Sequence, residues 1–168
     1  MNIFRPMPYL VYREANKSDV TSLARVRAEN QAYEEFWHER IRLYMDQKHH
    51  PQQALPKRIL FIAEDGESPV GLIAGHLTRR LECDGELQWV DVIPEYRKRG
   101  IASSLLKHLA DWFLEHHAKK ICVNCVTDNS IAQKFYKSQG AQKYNDYWLV
   151  WKDISCVLNN PITPPHHS

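Results

Sequence analysis

The sequence predicts an α/β domain of the α+β kind, with a mixed and mostly antiparallel central sheet flanked by helices. Three observations lead there. Ile59 to Ala63 and Val70 to Leu77 are apolar, strand-like runs joined by Glu64-Asp65-Gly66-Glu67, a β-hairpin signature. Leu87 to Ile93 reads as a strand cut off by Pro94, helical spacing starts at Ile101, and Ile121 to Val126 is again apolar; strand, helix and strand in that order imply a parallel crossover. At 168 residues and 43% hydrophobic content, the chain can bury one continuous core and is too short for two ordinary domains. A single domain over residues 1–158 is expected, with residues 159–168, which include three prolines, as a loose tail.

Taken in order, Tyr9 to Glu14 reads as a first strand, and Ser18 as the N-cap of a helix with Val20, Leu23 and Ala24 on one face, running to about Asn30. Tyr33, Phe36, Trp37, Ile41 and Tyr44 follow at spacings of three and four, and His49-His50-Pro51 ends that helix. The simplest role for this aromatic stripe is core. The alternative is that Tyr33, Trp37, Glu34 and Glu35 line an acceptor pocket. Pro51 to Pro56 reads as a short loop, and Gly71 and Gly75 inside the second hairpin strand signal close packing or a bulge. Cys83-Asp84-Gly85 is a turn into the strand that starts at Glu86, so strands two to four are expected to be antiparallel.

Ile101, Leu105, Leu109 and Phe113 form one stripe of the following helix, which covers a face of the sheet. Asp128 or Asn129 caps a further helix carrying Ile131, Ala132, Phe135 and Tyr136, with Gly140 as its C′ residue. Tyr147 to Trp151 is the last strand.

With 22 basic and 20 acidic residues the formal charge is +2, too small for a broad field toward nucleic acid or a membrane. No apolar run approaches the length of a membrane span, and the N-terminus lacks a signal-like apolar region, so a cytoplasmic protein is expected. Four cysteines are too few for a disulfide framework and fit a reducing compartment. Cys122 and Cys125 have metal-like spacing, but positions three apart on a strand face opposite sides, so buried thiols are expected. His116-His117 and His166-His167 lack a second ligand set, and no metal is expected.

Arg97-Lys98-Arg99-Gly100-Ile101-Ala102 lies between the strand that ends at Ile93 and the helix that begins at Ile101. A glycine there lets a ligand approach the backbone, and free N–H groups at the helix start favour an anion. The turn therefore reads as a phosphate site, although a basic run before a helix fits a solvated charged face equally well. Neither Gly-x-x-x-x-Gly-Lys-Ser/Thr nor Gly-x-Gly-x-x-Gly is present.

These residues resemble the GCN5-related N-acetyltransferase (GNAT) superfamily. Arg97 to Ala102 matches its Arg/Gln-x-x-Gly-x-Gly/Ala acyl-CoA motif, and Asn129 to Ala141 resembles its later Asn-x-x-Ala-x-x-Phe-Tyr-x-x-x-Gly-Phe element, with Ala141 in place of a bulky residue. The resemblance covers residues 9–154 in element order. It implies acetyl transfer from acetyl-CoA directly to an amine, with the N–H groups of Lys98, Arg99, Gly100, Ile101, Ala102 and Ser103, beside Arg97, around the pyrophosphate. Pantetheine would pair with the backbone near Val92, whose N–H would polarise the thioester.

By the same resemblance Tyr136 protonates or hydrogen-bonds the leaving thiolate, Asn129 hydrogen-bonds CoA, and Glu86 is the base, acting through water. Strand alternation places Glu86 on one face with Gln88, Val90 and Val92, and turns the rival carboxylate Asp91 away from Val92 unless a bulge intervenes. The expected acceptor is a small-molecule amine, and the expected assembly a monomer or homodimer. A protein N-acetyltransferase and a non-catalytic acyl-CoA sensor are the alternative readings.

Overall fold

The computed structural model describes residues 9–159. In chain order it contains β1 (Leu10–Glu14), α1 (Val20–Gln31), α2 (Glu34–Met45), β2 (Ala54–Asp65), β3 (Ser68–Thr78), β4 (Gly85–Val92), α3 (Ile101–Glu115), β5 (Ile121–Asn124), α4 (Ser130–Ser138), β6 (Gln142–Lys143) and β7 (Trp148–Trp151). The strands form one seven-stranded sheet in the order β1-β2-β3-β4-β5-β7-β6. Every neighbouring pair is antiparallel except β4 and β5, which run parallel as the crossover requires.

Two apolar layers sandwich this sheet. On one face α3 packs Ile101, Leu105, Leu109 and Phe113 against Ile73, Leu87 and Val92. The fit is close. A Cβ added at Gly75 would lie 2.8 Å from Leu109 Cδ1, so only glycine lets the helix approach this far. On the other face α1 and α2 bring Leu23, Ala24, Ile41 and Tyr44 onto Leu60, Ile62, Leu72, Ala74 and Trp89. Full burial of each large apolar side chain contributes roughly 1.5–3 kcal/mol, which makes these two layers the main support of the sheet.

Several local expectations change. Ser18 is not the cap of α1: Asn16 caps a 3₁₀ turn at Lys17–Asp19, its side chain accepting from Ser18 N and its own N–H donating to Asp19 at 2.8 Å, and α1 follows with Asp19 as its N-cap. The stripe on α2 divides, with Ile41 and Tyr44 buried while Tyr33 and Phe36 are exposed. β2 begins at Ala54 and runs through Pro56, where a loop was expected. Pairing with β1 involves only Phe61 to Asp65 of β2, so Pro56 lies on a stretch with no partner on that side, and its missing N–H costs little.

β5 stops at Asn124 rather than Val126, and the two-residue β6 carried too little apolar pattern to be read from sequence. Asn129 supplies the cap of α4. A terminal 3₁₀ segment, Ile154–Asn159, buries Ile154 and Val157; the remainder of the expected tail, residues 160–168, lies outside the described residues, as do residues 1–8. Among the described residues no helix is long and apolar enough to cross a membrane.

Candidate active site

β4 and β5 pair only at Gly85–Ile121, Glu86–Cys122 and Leu87–Val123. Beyond that point they part. β5 stays with β7, through Asn124 opposite Trp148 and Cys125 N donating to Tyr147 O at 2.8 Å. β4 stays with β3, but Ala74 pairs with Trp89 and Gly75 with Leu87, leaving Gln88 as a one-residue bulge where the strands diverge. The result is a gap between two parallel strands at their C-terminal ends.

Ladder geometry identifies what faces this gap. Ile93 N donates to Val70 O at 2.9 Å, so along β4 the peptide groups of Val92 and Val90 alternate to the edge away from β3. Two main-chain N–H groups, roughly 6.6 Å apart at 3.3 Å per residue, therefore point where β5 has left. Val92 was expected from sequence; Val90 was not. Only the register reveals it.

The bulge also corrects the expected face of Glu86. Glu86 pairs with His76, Trp89 with Ala74 and Asp91 with Leu72, all on the α1/α2 side, whereas Leu87, Val90 and Val92 face α3. An extra residue at Gln88 flips the alternation, so Glu86 shares a face with Asp91 and not with Val92. Asp91 does face away from Val92, as simple alternation requires.

Both carboxylates are buried. Glu86 lies 3.0 Å from Arg80 Nε, 3.8 Å from His76 Nε2 and 4.0 Å from Cys122 Sγ. Burial raises its carboxyl to about 7, against the pull of Arg80. Asp91 accepts from Arg27 at 2.6 Å and from Asn30 at 3.3 Å; burial pushes it upward, opposed by Arg27 and Asn30. Arg27 is itself stacked 4.0 Å from the Trp37 ring.

At the start of α3 the chain makes a 3₁₀ turn at Pro94–Tyr96, then passes Lys98 and Gly100 with φ of 61° and 80°. Gly100 is the N-cap and supplies no side-chain oxygen, so the first N–H groups of α3 are available to an external acceptor. Lys98 and Arg99 are exposed beside this turn. Arg97 reaches back, donating to Asn30 Oδ1 and, from Nε, to Val92 O at 3.4 Å. Asn30 Nδ2 also donates to Val92 O, at 3.3 Å. No sequence motif marked Asn30 or Arg27.

Ser103 Oγ accepts from Gln139 Nε2 at 3.0 Å, joining the turn region to the end of α4. Exposed Asn129 accepts from Ala132 N at 3.2 Å and so serves as the helix cap. Tyr136 is buried on the α3 side with its ring 5.8 Å from that of Trp151. Burial, with Cys125 and Asp91, pushes its phenol well above the ordinary range, so it stays an O–H donor at neutral pH. The structure thus sets Glu86 and Tyr136 on opposite faces of the sheet.

Cys122 and Cys125 are buried free thiols in clusters on opposite sides of the sheet. Among the described residues no three His, Cys, Asp or Glu side chains come together in a way that could hold a metal ion. His166 and His167 lie outside the described residues.

A strand gap edged by main-chain donors, with an anion-ready helix start at one end and titratable side chains on both faces, has the equipment of an acyltransferase. Comparison of the sequence with family models narrows the class: the acetyltransferase (GNAT) family matches residues 27–141, and the chain belongs to that family.

Solved structures share the fold. A PaiA N-acetyltransferase from Thermoplasma acidophilum, in complex with coenzyme A, is 17% identical, with 86% of this chain and 99% of that one covered at a TM-score of 0.69. An aminoglycoside N-acetyltransferase in complex with CoA is 18% identical, with coverage of 85% and 94% and a TM-score of 0.69. An acetyltransferase from Thermus thermophilus is 18% identical, with coverage of 84% and 95% and a TM-score of 0.66. The comparison with curated proteins gave no match.

Proposed function

We propose that this GNAT-family acetyltransferase moves an acetyl group from acetyl-CoA to the primary amine of a small molecule, by direct attack in a ternary complex. The observation that carries this reading is the gap between β4 and β5, with the N–H groups of Val90 and Val92 on its edge and the uncapped start of α3 beyond it. These groups fit an acyl-CoA. Helix N–H groups from Ile101 to Ser103, with Lys98 and Arg99 nearby, would hold the pyrophosphate, and the β4 edge would hold pantetheine as an added strand. Bound there, acetyl-CoA supplies an activated acyl group.

The remaining chemistry belongs to side chains. An alkylammonium has a pKa of about 10.4, so the acceptor must lose a proton before it attacks. Glu86, held near neutrality, is suited to take it. It stands four positions before Val90, at most about 13 Å along the strand, so the proton passes through water. Asp91 is nearer but is engaged by Arg27 and Asn30. Tyr136, from the opposite face, donates its O–H toward the departing sulfur, and the Val90 and Val92 N–H groups polarise the acyl oxygen.

A small acceptor fits the rim. Tyr33 on the α1–α2 connection, Phe36 in the first turn of α2, Val126 and Ile131 around the start of α4, and Tyr144 and Tyr147 between β6 and β7 are all exposed. These three connections lie at the end of the sheet where β4 and β5 part, and could enclose an amine with an apolar or aromatic body. A screen of small amines and peptides with acetyl-CoA, reading CoA release by chromatography, tests this. Turnover with small amines supports the proposal; turnover confined to peptides, or none with any amine, contradicts it.

A further inference from the structure

His76 sits opposite Glu86 in the β3–β4 ladder and is completely buried. Its Nδ1 lies 2.8 Å from the Tyr44 hydroxyl, while Nε2 makes no hydrogen bond and faces Glu86 Oε2 at 3.8 Å. An unpaired ring nitrogen at zero exposure is costly, so its placement calls for a reason. Tyr44 suggests one. A buried phenol keeps its proton, and because His76 Nδ1 is the one hydrogen-bond partner of this hydroxyl among the described residues, the O–H donates to Nδ1.

A neutral imidazole that accepts at Nδ1 carries its own hydrogen on Nε2, aimed at the carboxylate. The opposite tautomer would present a lone pair to Glu86 and tolerate only the protonated acid. Burial, with Arg58, Arg80, His49 and His50, holds His76 down at about 3, so the ring is neutral across the working pH range.

We infer that His76 is a positioning residue for Glu86: its Nε2–H favours and orients the carboxylate form, and the Tyr44 hydroxyl selects the tautomer that makes this possible. The inference rests on reading Glu86 as the general base. Other groups act on Glu86 from every side: Arg80 from the turn before β4, Cys122 from β5, and Cys83, packed against Cys122, from the approach to β4. Arg58 on β2 stands behind, its guanidinium 4.6 Å from the Tyr44 ring. None of these is removed by changing His76, so a substitution there isolates the contribution of the ring.

The titration needs no acceptor. Protein labelled with 13C at glutamate carboxyls is titrated by NMR, with the Glu86 resonance assigned by its loss in Glu86→Gln. The expected midpoint of about 7 moves upward by about half a pH unit or more in His76→Leu, because an N–H dipole facing the charged form at 3.8 Å is lost. His76→Gln, which restores an N–H donor, brings it back, and Tyr44→Phe, a near-isosteric change that serves if His76→Leu does not fold, shifts it in the same upward direction. A midpoint unmoved in His76→Leu or, where that variant does not fold, in Tyr44→Phe overturns the inference and leaves the base reading standing. Full turnover by Glu86→Gln overturns the base reading, and the positioning role with it, whatever the titration shows.

Discussion

The two faces of β4 are built on different principles. Toward α3 the strand presents Leu87, Val90 and Val92 to an apolar layer. Toward α1 and α2 it presents Glu86, Trp89 and Asp91, two of them buried carboxylates held by Arg80 and Arg27. Burying charge is costly unless it is paired, and β4 bears that cost on one face only, which separates a face that holds the fold from the face proposed to do chemistry. The bulge at Gln88 makes the partition possible. It brings Glu86 and Asp91 to one side although their spacing in sequence would separate them.

Substitutions can break or sharpen that contrast. Leu109→Ala, in the α3 layer, is expected to lower unfolding free energy by about 3 kcal/mol, with kcat unchanged below the melting transition. A denaturant titration beside an assay checks both halves; a large loss of kcat would erase the distinction between the faces. Gly100→Glu puts a carboxylate and a side chain at positive φ in the turn, and CoA affinity measured by calorimetry should fall about 100-fold.

Glu86→Gln should reduce kcat by about 100-fold while sparing CoA affinity. The pH dependence has a definite sign. A base must be ionised to accept a proton, and Glu86 is raised to about 7, so the rate climbs as pH increases through 7; the Gln variant should lose that limb. Tyr136→Phe is the smallest expected effect, about tenfold in kcat and greatest when the leaving thiolate needs its proton. Because Tyr136 belongs to the apolar side, this result shows how far chemistry intrudes on the structural face.

Much of the proposed cofactor side was legible because its signals are local. Gly100 before an apolar helix, Pro94 after a strand, and the Asn129-to-Gly140 helix are each read within a dozen residues, and main-chain N–H groups need no particular side chain to do their work. The groups around the two β4 carboxylates were harder. Arg27, Asn30, His76 and Arg80 come from separate elements and meet β4 only after folding. Gly75 did hint at a bulge, yet the extra residue falls at Gln88 on the facing strand, a position that strand alternation cannot reveal. That one residue is why Glu86 was expected beside Val92 and lies on the other face.

In the proposed complex an acyl-CoA runs from the start of α3 into the gap between β4 and β5. Titrating 15N-labelled protein with CoA, which cannot react, tests it directly through the amide resonances. The account predicts the largest shifts at Val90, Val92 and the amides from Lys98 to Ser103. It is contradicted if those signals stay put while the largest shifts fall elsewhere, for example in the roughly 620 Å³ surface cavity lined by Phe61, His108 and Trp112.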